Sequence, residues 1–398
     1  MATKFGTALV KGKNGLEVGK EAARKAQEKA GITKPDFCIV FASSEYDYAE
    51  VIKGIGQVIN DAPLIGCSSS GEFTEESVEK GSVACAVISS DTHKFFTGFG
   101  TGLKEDTVKC LKDTVSGFPS DVKGYPYRSS IMLIDGLARK GEESVLSALM
   151  ALSPNVKFSG GAAGDDLKFK ETYVFSNEKI ATDAVVAALL TSKIPVAIGV
   201  KHGHSPISPP LTVTKAEGCT VYEIDGKPAF DVWKHYTREN AKQLGIDVDK
   251  MGVTEAIQNF FTRYEAGLLT GGTDYKIRWL GGTTTTEGPI TFLCATPEGT
   301  VLRVMESPKQ AQISSARKAA EIALSSSQGV ELAGAIIFDC VCRAIILGNE
   351  FSKAVAGITD VLSGIPLVGF ETYGEIAMEI GQLSGFHNTT TVVLLIPA

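Results

Sequence analysis

The sequence predicts an α/β (α+β) protein of two domains, with mixed β-sheets flanked by helices and built from duplicated strand-helix-strand-strand units. Three observations predict it. First, 398 residues with 43% hydrophobic and 21% charged side chains can bury a large core. Second, Pro63-Leu-Ile-Gly66-Cys-Ser-Ser-Ser-Gly71-Glu72-Phe73 returns as Pro366-Leu-Val-Gly369-Phe-Glu-Thr-Tyr-Gly374-Glu375-Ile376, at an offset of 303 residues (366 − 63). Third, short runs rich in Val, Ile and aromatics follow one another without helices between them, which means a mixed or antiparallel sheet and disfavours a doubly wound nucleotide-binding fold.

The repeat sets the first and last elements. Tyr48, Ile52, Ile55, Val58 and Ile59 fall on Phe351, Val355, Ile358, Val361 and Leu362 at the same offset. Spacings of 3, 4 and 7 put each set on one face of a helix. A strand, a Gly-x-x-x-x-Gly-Glu turn and further strands follow each helix. A third copy is expected where strand Ile131–Ile134 leads to helix Glu142–Leu152, then Val156–Phe158 and Ser159-Gly-Gly-Ala-Ala-Gly164-Asp165; again an acid follows the glycine. The other predicted strands of this half are Val83–Ser89, Phe95–Phe99, Thr172–Phe175, Ala184–Leu190, Val196–Lys201 and Leu211–Thr214. A turn at Asp225-Gly-Lys-Pro228 and a helix starting near Pro228 divide the chain into domains 1–225 and 226–398. Residues 237–288, with Gly271-Gly272, Gly281-Gly282 and Thr283–Thr286, read as loop-rich. Ser307-Pro308 starts a helix through Ile313, Ala316, Ala320 and Ala323, and strands Ala335–Phe338, Ala344–Leu347 and Val392–Ile396 complete the chain.

A net charge of −7 without long runs of one sign argues against nucleic acid or an anionic lipid surface as partner. Apolar runs such as Ala184–Leu190 are far too short for a membrane helix, and Met1–Gly6 lacks signal-peptide features, so a cytoplasmic protein without membrane insertion is expected. Six of the eight cysteines sit in apolar runs and read as buried thiols; Cys340-Val-Cys342 has no companion pair or His at zinc spacing.

The Gly-Glu turns carry the candidate site. Glycine at a strand end lets backbone approach a ligand, and the adjacent acid offers a charge. Ser68, Ser69, Ser70, Gly71 and Glu72 form one turn, Tyr373, Gly374 and Glu375 its counterpart, and Asp165 the third acid. Glu371 at the place of Ser68 shows that the two turns differ. Arg343, beside Cys340, has the planar fork that suits a carboxylate. In this reading Arg343 holds a ligand carboxylate, Glu72 and Glu375 an amine, Ser68–Ser70 supply hydrogen bonds and Tyr373 an aromatic wall. The plain alternative is structural: glycines serving special backbone angles, acids accepting local amides, and Arg343 paired with Asp339 or Glu375. His202-Gly-His204 offers haem or metal an axial imidazole, and a Cys340 or Cys342 nucleophile lowered by Arg343 would make a thiol-dependent enzyme without an identifiable base. No Walker, zincin or nucleophile-elbow motif is present.

Together these stretches resemble the FIST (F-box and intracellular signal transduction) family, with FIST N and FIST C domains. The matching segments are Pro63–Glu72, Gly160–Asp165, Val213–Gly218, Asp225–Ala229, Cys340–Arg343 and Gly369–Glu375, and the resemblance runs from about residue 36 through nearly the whole chain. It implies a sensory module for a small ligand, with amino acids the usual proposal, and no enzyme activity. It also implies a signalling partner such as a histidine kinase or a chemotaxis protein; no F-box or output domain is expected in this chain. Some members resemble haem-based nitric oxide sensors, which keeps haem, on His202 or His204, as the alternative to having no cofactor. The expectation is a soluble sensor binding an amino-acid-like molecule between its domains.

Overall fold

The structure, a computed structural model, describes residues 3–177, 179–271 and 274–398; Met1, Ala2, Glu178, Gly272 and Thr273 lie outside the described residues. Three copies of one unit follow each other. The first runs β1 (Lys4–Val10), α1 (Gly15–Ala30), β2 (Phe37–Ser43), α2 (Tyr48–Ile59), β3 (Leu64–Ser69), the hairpin β4 (Glu72–Thr74) and β5 (Val78–Glu79), and β6 (Val83–Ser89). The second runs β7 (His93–Thr101), α3 (Thr107–Val115), β8 (Tyr127–Ile134), α4 (Gly141–Leu152), β9 (Lys157–Ala162), β10 (Val174–Ser176), β11 (Ile180–Ala181) and β12 (Ala184–Ser192). Both α4 and β9 lie 93 residues after α2 and β3 (141 − 48 and 157 − 64), so the third copy read from the sequence is this second unit.

The last unit opens with β13 (Ala197–His202) and is then interrupted. The insert contains β14 (Ser205–Pro206), β15 (Leu211–Glu217), β16 (Thr220–Ile224), β17 (Lys227–Pro228), α5 (Ala229–Gln243), the single turn α6 (Val253–Glu255), β18 (Tyr264–Gly271), β19 (Asp274–Arg278), β20 (Ile290–Thr291) and β21 (Val301–Glu306). The unit resumes with α7 (Lys309–Ser326), β22 (Leu332–Cys340), α8 (Val341–Leu347), α9 (Phe351–Leu362), β23 (Leu367–Thr372), β24 (Glu375–Met378), β25 (Phe386–His387) and β26 (Thr390–Pro397). Two expectations are corrected. Ala344–Leu347 is helical, part of α8, because a short apolar run suits either state and this one leaves the strand at Cys340. The stretch 237–288, read as loop-rich, holds the end of α5 and the β18–β19 hairpin.

Each unit makes the same sheet. Its second and third strands pair in parallel (β2–β3, β8–β9, β22–β23), and its last strand lies antiparallel between the first and second. The hairpin after the third strand crosses to another sheet in a cycle: β4 joins β23, β24 joins β9 and β10 joins β3. The last strands show why three sheets close on one core. In β12, Val186, Ala188 and Leu190 face the central cluster, while Val185 and Ala187 face helices. In β26, Val392, Leu394 and Ile396 point inward, with Val393 and Leu395 toward α7 and α9. A period of two with both faces covered produces the continuous apolar runs seen in the sequence. The insert has its own core around Trp233, Phe260 and Phe292. Seven of the eight cysteines are buried, and all are free thiols. Among the described residues no helix is long and apolar enough to cross a membrane.

Candidate functional site

The Gly-Glu turns sit where β3 and β23 hand over to the crossing hairpins. Gly71 and Gly374 share φ of +154° and +155°, a region L-residues rarely enter; a Cβ on Gly71 would lie 2.6 Å from Glu371 Oε1, and one on Gly374 would enter the Phe386 ring. Their acids are fully buried and bonded alike. Glu72 accepts from the Ser69 hydroxyl, the Ser82 hydroxyl (2.5 Å) and the Ser82 N–H (3.1 Å). Glu375 accepts from the Thr372 hydroxyl, the Thr390 hydroxyl (2.7 Å) and the Thr390 N–H (3.1 Å). Each carboxyl thus ties its turn to the start of the unit's last strand. Burial raises both pKa values to about 8, outweighing hydrogen bonds that favour the charged form. In the second unit the tie is made by Asp135, which accepts from Thr172 and from the Asp183 N–H (2.6 Å). Asp165 instead caps its own loop through the N–H groups of Phe169 (2.9 Å) and Lys170 (2.7 Å), and accepts from the Tyr373 hydroxyl at 2.5 Å.

The remaining candidates are also engaged inside the protein. Ser68 accepts from the Tyr173 N–H (2.9 Å), and the Ser70 carbonyl accepts from Lys80, which also pairs with buried Glu371. Tyr373 stacks on Phe169 with ring centroids 5.1 Å apart. Arg343 has no exposed surface: Nε donates to Asp339 at 2.7 Å, and the guanidinium also donates to Gln312 and to Ser315 (2.8 Å). Of the two ion pairs considered from the sequence, it forms the one with Asp339. Burial, with Cys342 alongside, raises the Cys340 thiol well above its usual range, which disfavours a thiolate nucleophile. His204 is buried, its Nε2 3.4 Å from Glu265 Oε2; burial and Arg343 hold its pKa down to about 3.

The sheet cycle leaves a seam between the first strand of one sheet and the crossed hairpin of the next. At the β1–β5 seam, Thr7 and Lys29 bind Glu75, and Lys11 meets Glu79 at 3.2 Å. The β7–β11 seam opens into a cleft of about 770 Å³. The β13–β25 seam opens into one of about 880 Å³, covered on one side by Tyr275 and Lys276 of the insert. Ile198, Val200, Ile322 and Met378 give this second cleft an apolar wall; Lys201, His202, Lys276, Ser384 and His387 give it a polar one. None of the turn residues lines it. His202 is the one sequence candidate that does, whereas Lys201, Lys276 and His387 were missed because they converge from β13, β19 and β25. The polar end of the Val196–Lys201 run was the only local signal.

Residues 36–227 match the FIST N domain and residues 229–378 the FIST C domain. The chain belongs to the FIST family. FIST domains are sensory and signal-transduction domains. The FIST chain is 23% identical to an uncharacterized protein of Methanocaldococcus jannaschii, over 94% of this chain and 75% of that one. It is 24% identical to an uncharacterized protein of Mycobacterium tuberculosis, over 92% and 93%. A cyanuric acid hydrolase from A. caulinodans superposes with a TM-score of 0.29 at 10% identity, over 48% of this chain and 72% of that one.

Proposed function

We propose that this FIST protein is a sensor that binds a small, polar, amino-acid-like ligand in the β13–β25 cleft and signals through a separate partner, such as a histidine kinase or a chemotaxis protein. The observation that carries this reading is the composite cleft. One wall belongs to the insert, the other to two sheets of the repeat, so an occupant would contact both and change how they pack. The Gly-Glu turns then serve the scaffold that holds the cleft. A thermal-shift screen against amino acids and related metabolites tests it: a ligand at a hundred times its Kd should add about 2.7 kcal/mol. The expected hit is lost in Ile322→Trp, which fills the apolar wall. A hit unaffected by that change would place the ligand elsewhere and defeat the reading.

Two imidazoles, His202 and His387, line the same cleft and favour haem as the second reading. A Soret band that shifts and sharpens relative to free hemin in wild type but not in His202→Ala would replace the metabolite reading; a spectrum identical to free hemin removes the haem reading.

A further inference from the structure

We infer that the ligand of the β13–β25 cleft carries an anionic head group, held by Lys276 and Lys201, on a short apolar body. The inference rests on the cleft reading above and adds the occupant's charge. Lys276 is only 5% exposed, yet among the described residues its ammonium meets just the neutral Ser384 hydroxyl and Glu142, 3.8 Å away. That carboxylate is already shared with Arg278 at 3.0 Å. Two buried cations thus divide one acid. A buried charge is tolerated when it is paired, and this one is short of half a partner.

Lys201, at the end of β13, lines the same cleft and forms no ion pair among the described residues. The acid at the rim, Glu379, is taken by Lys157 at 3.0 Å. Among the described residues the local balance is therefore four cations, Lys157, Lys201, Lys276 and Arg278, against Glu142 and Glu379, in a chain whose net charge is −7. A positive, partly desolvated cleft in an acidic protein concentrates anions. Burial also lowers the Lys276 pKa to about 8, as expected of an ammonium short of compensation. The wall of Ile198, Val200 and Ile322 accepts the apolar body. The shared chemistry is an amphipathic anion, whether its head is a carboxylate or a phosphate monoester.

Calorimetric titration of the full chain with 4-methylpentanoate, 3-methylbutyl phosphate and the neutral 4-methylpentanamide tests this. One or both anions should bind, with affinity falling as salt rises, and the amide should bind at least about tenfold more weakly. The stronger anion identifies the head group. Lys276→Gln and Lys201→Gln should each weaken the anion and leave the amide unchanged; the half-buried Lys201 keeps the test usable if Lys276→Gln folds poorly. Equal affinity for acid and amide, anion binding that survives both lysine changes, or no binding by any of the three overturns the inference. A neutral compound from the thermal screen that is blocked by Ile322→Trp but indifferent to both lysines overturns the charge alone. Anion binding that persists in Ile322→Trp overturns the cleft itself.

Discussion

Replacing Glu375 by Gln should remove a loss of stability that the protein otherwise suffers as the pH rises. The carboxyl is fully buried, and burial lifts its pKa from 4.5 to about 8. A folded value above the unfolded one means that folding favours the neutral acid. Its contribution is whole below the unfolded pKa and is lost progressively as the pH climbs to the folded one. The shift, 8 − 4.5, corresponds to roughly 5 kcal/mol at 1.36 kcal/mol per unit. The amide keeps the shape, can still accept from Thr372 or Thr390, and cannot ionise. Urea unfolding from about pH 5 to about pH 9 should show the wild type losing several kcal/mol more than Glu375→Gln. Parallel profiles would refute the reasoning: the three hydrogen bonds from Thr372 and Thr390 would then outweigh desolvation and keep the carboxylate charged in the fold.

Two further outcomes follow from the same interior. Arg343→Ala strands Asp339 without its cation and should cost about 3–5 kcal/mol, read as a lower melting temperature without ligand; an unchanged melting temperature with selective loss of ligand binding would restore Arg343 to a binding role. Gly374→Ala combines a forbidden φ with a clash against Phe386 and should cost about 3 kcal/mol or more, whereas Gly226→Ala, at φ +72° in open space, should cost only about 1–2 kcal/mol. Equal effects would show that the Phe386 contact relaxes freely.

The duplicated helices and turns were legible because repetition and apolar phase are local signals: Tyr48–Ile59, Phe351–Leu362 and the 141–152 helix all lie where the pattern puts them. The short run Ala344–Leu347 was misread because its four residues carry no usable period. The exchange of hairpins was invisible, since Phe73 pairing with Gly369 depends on contacts almost three hundred positions apart. The same distance hid the cleft. Lys201, Lys276 and Ser384 are each unremarked in sequence and acquire meaning only where the insert meets the seam. The turn residues stood out because their glycines and acids are demanded by backbone geometry and buried bonding, a pattern that in one sequence looks the same as a binding motif.

The insert enters between the first strand and first helix of its unit, after β13 and before α7. The corresponding corners of the other units are the short links 11–14 and 102–106. These corners lie outside every strand pairing, so the scaffold resembles a socket with three positions and one occupied. A foreign recognition module spliced at 11–14 or 102–106 would leave the sheet cycle intact. By the same arrangement, lineages could exchange the module that looks onto a seam while inheriting the framework unchanged.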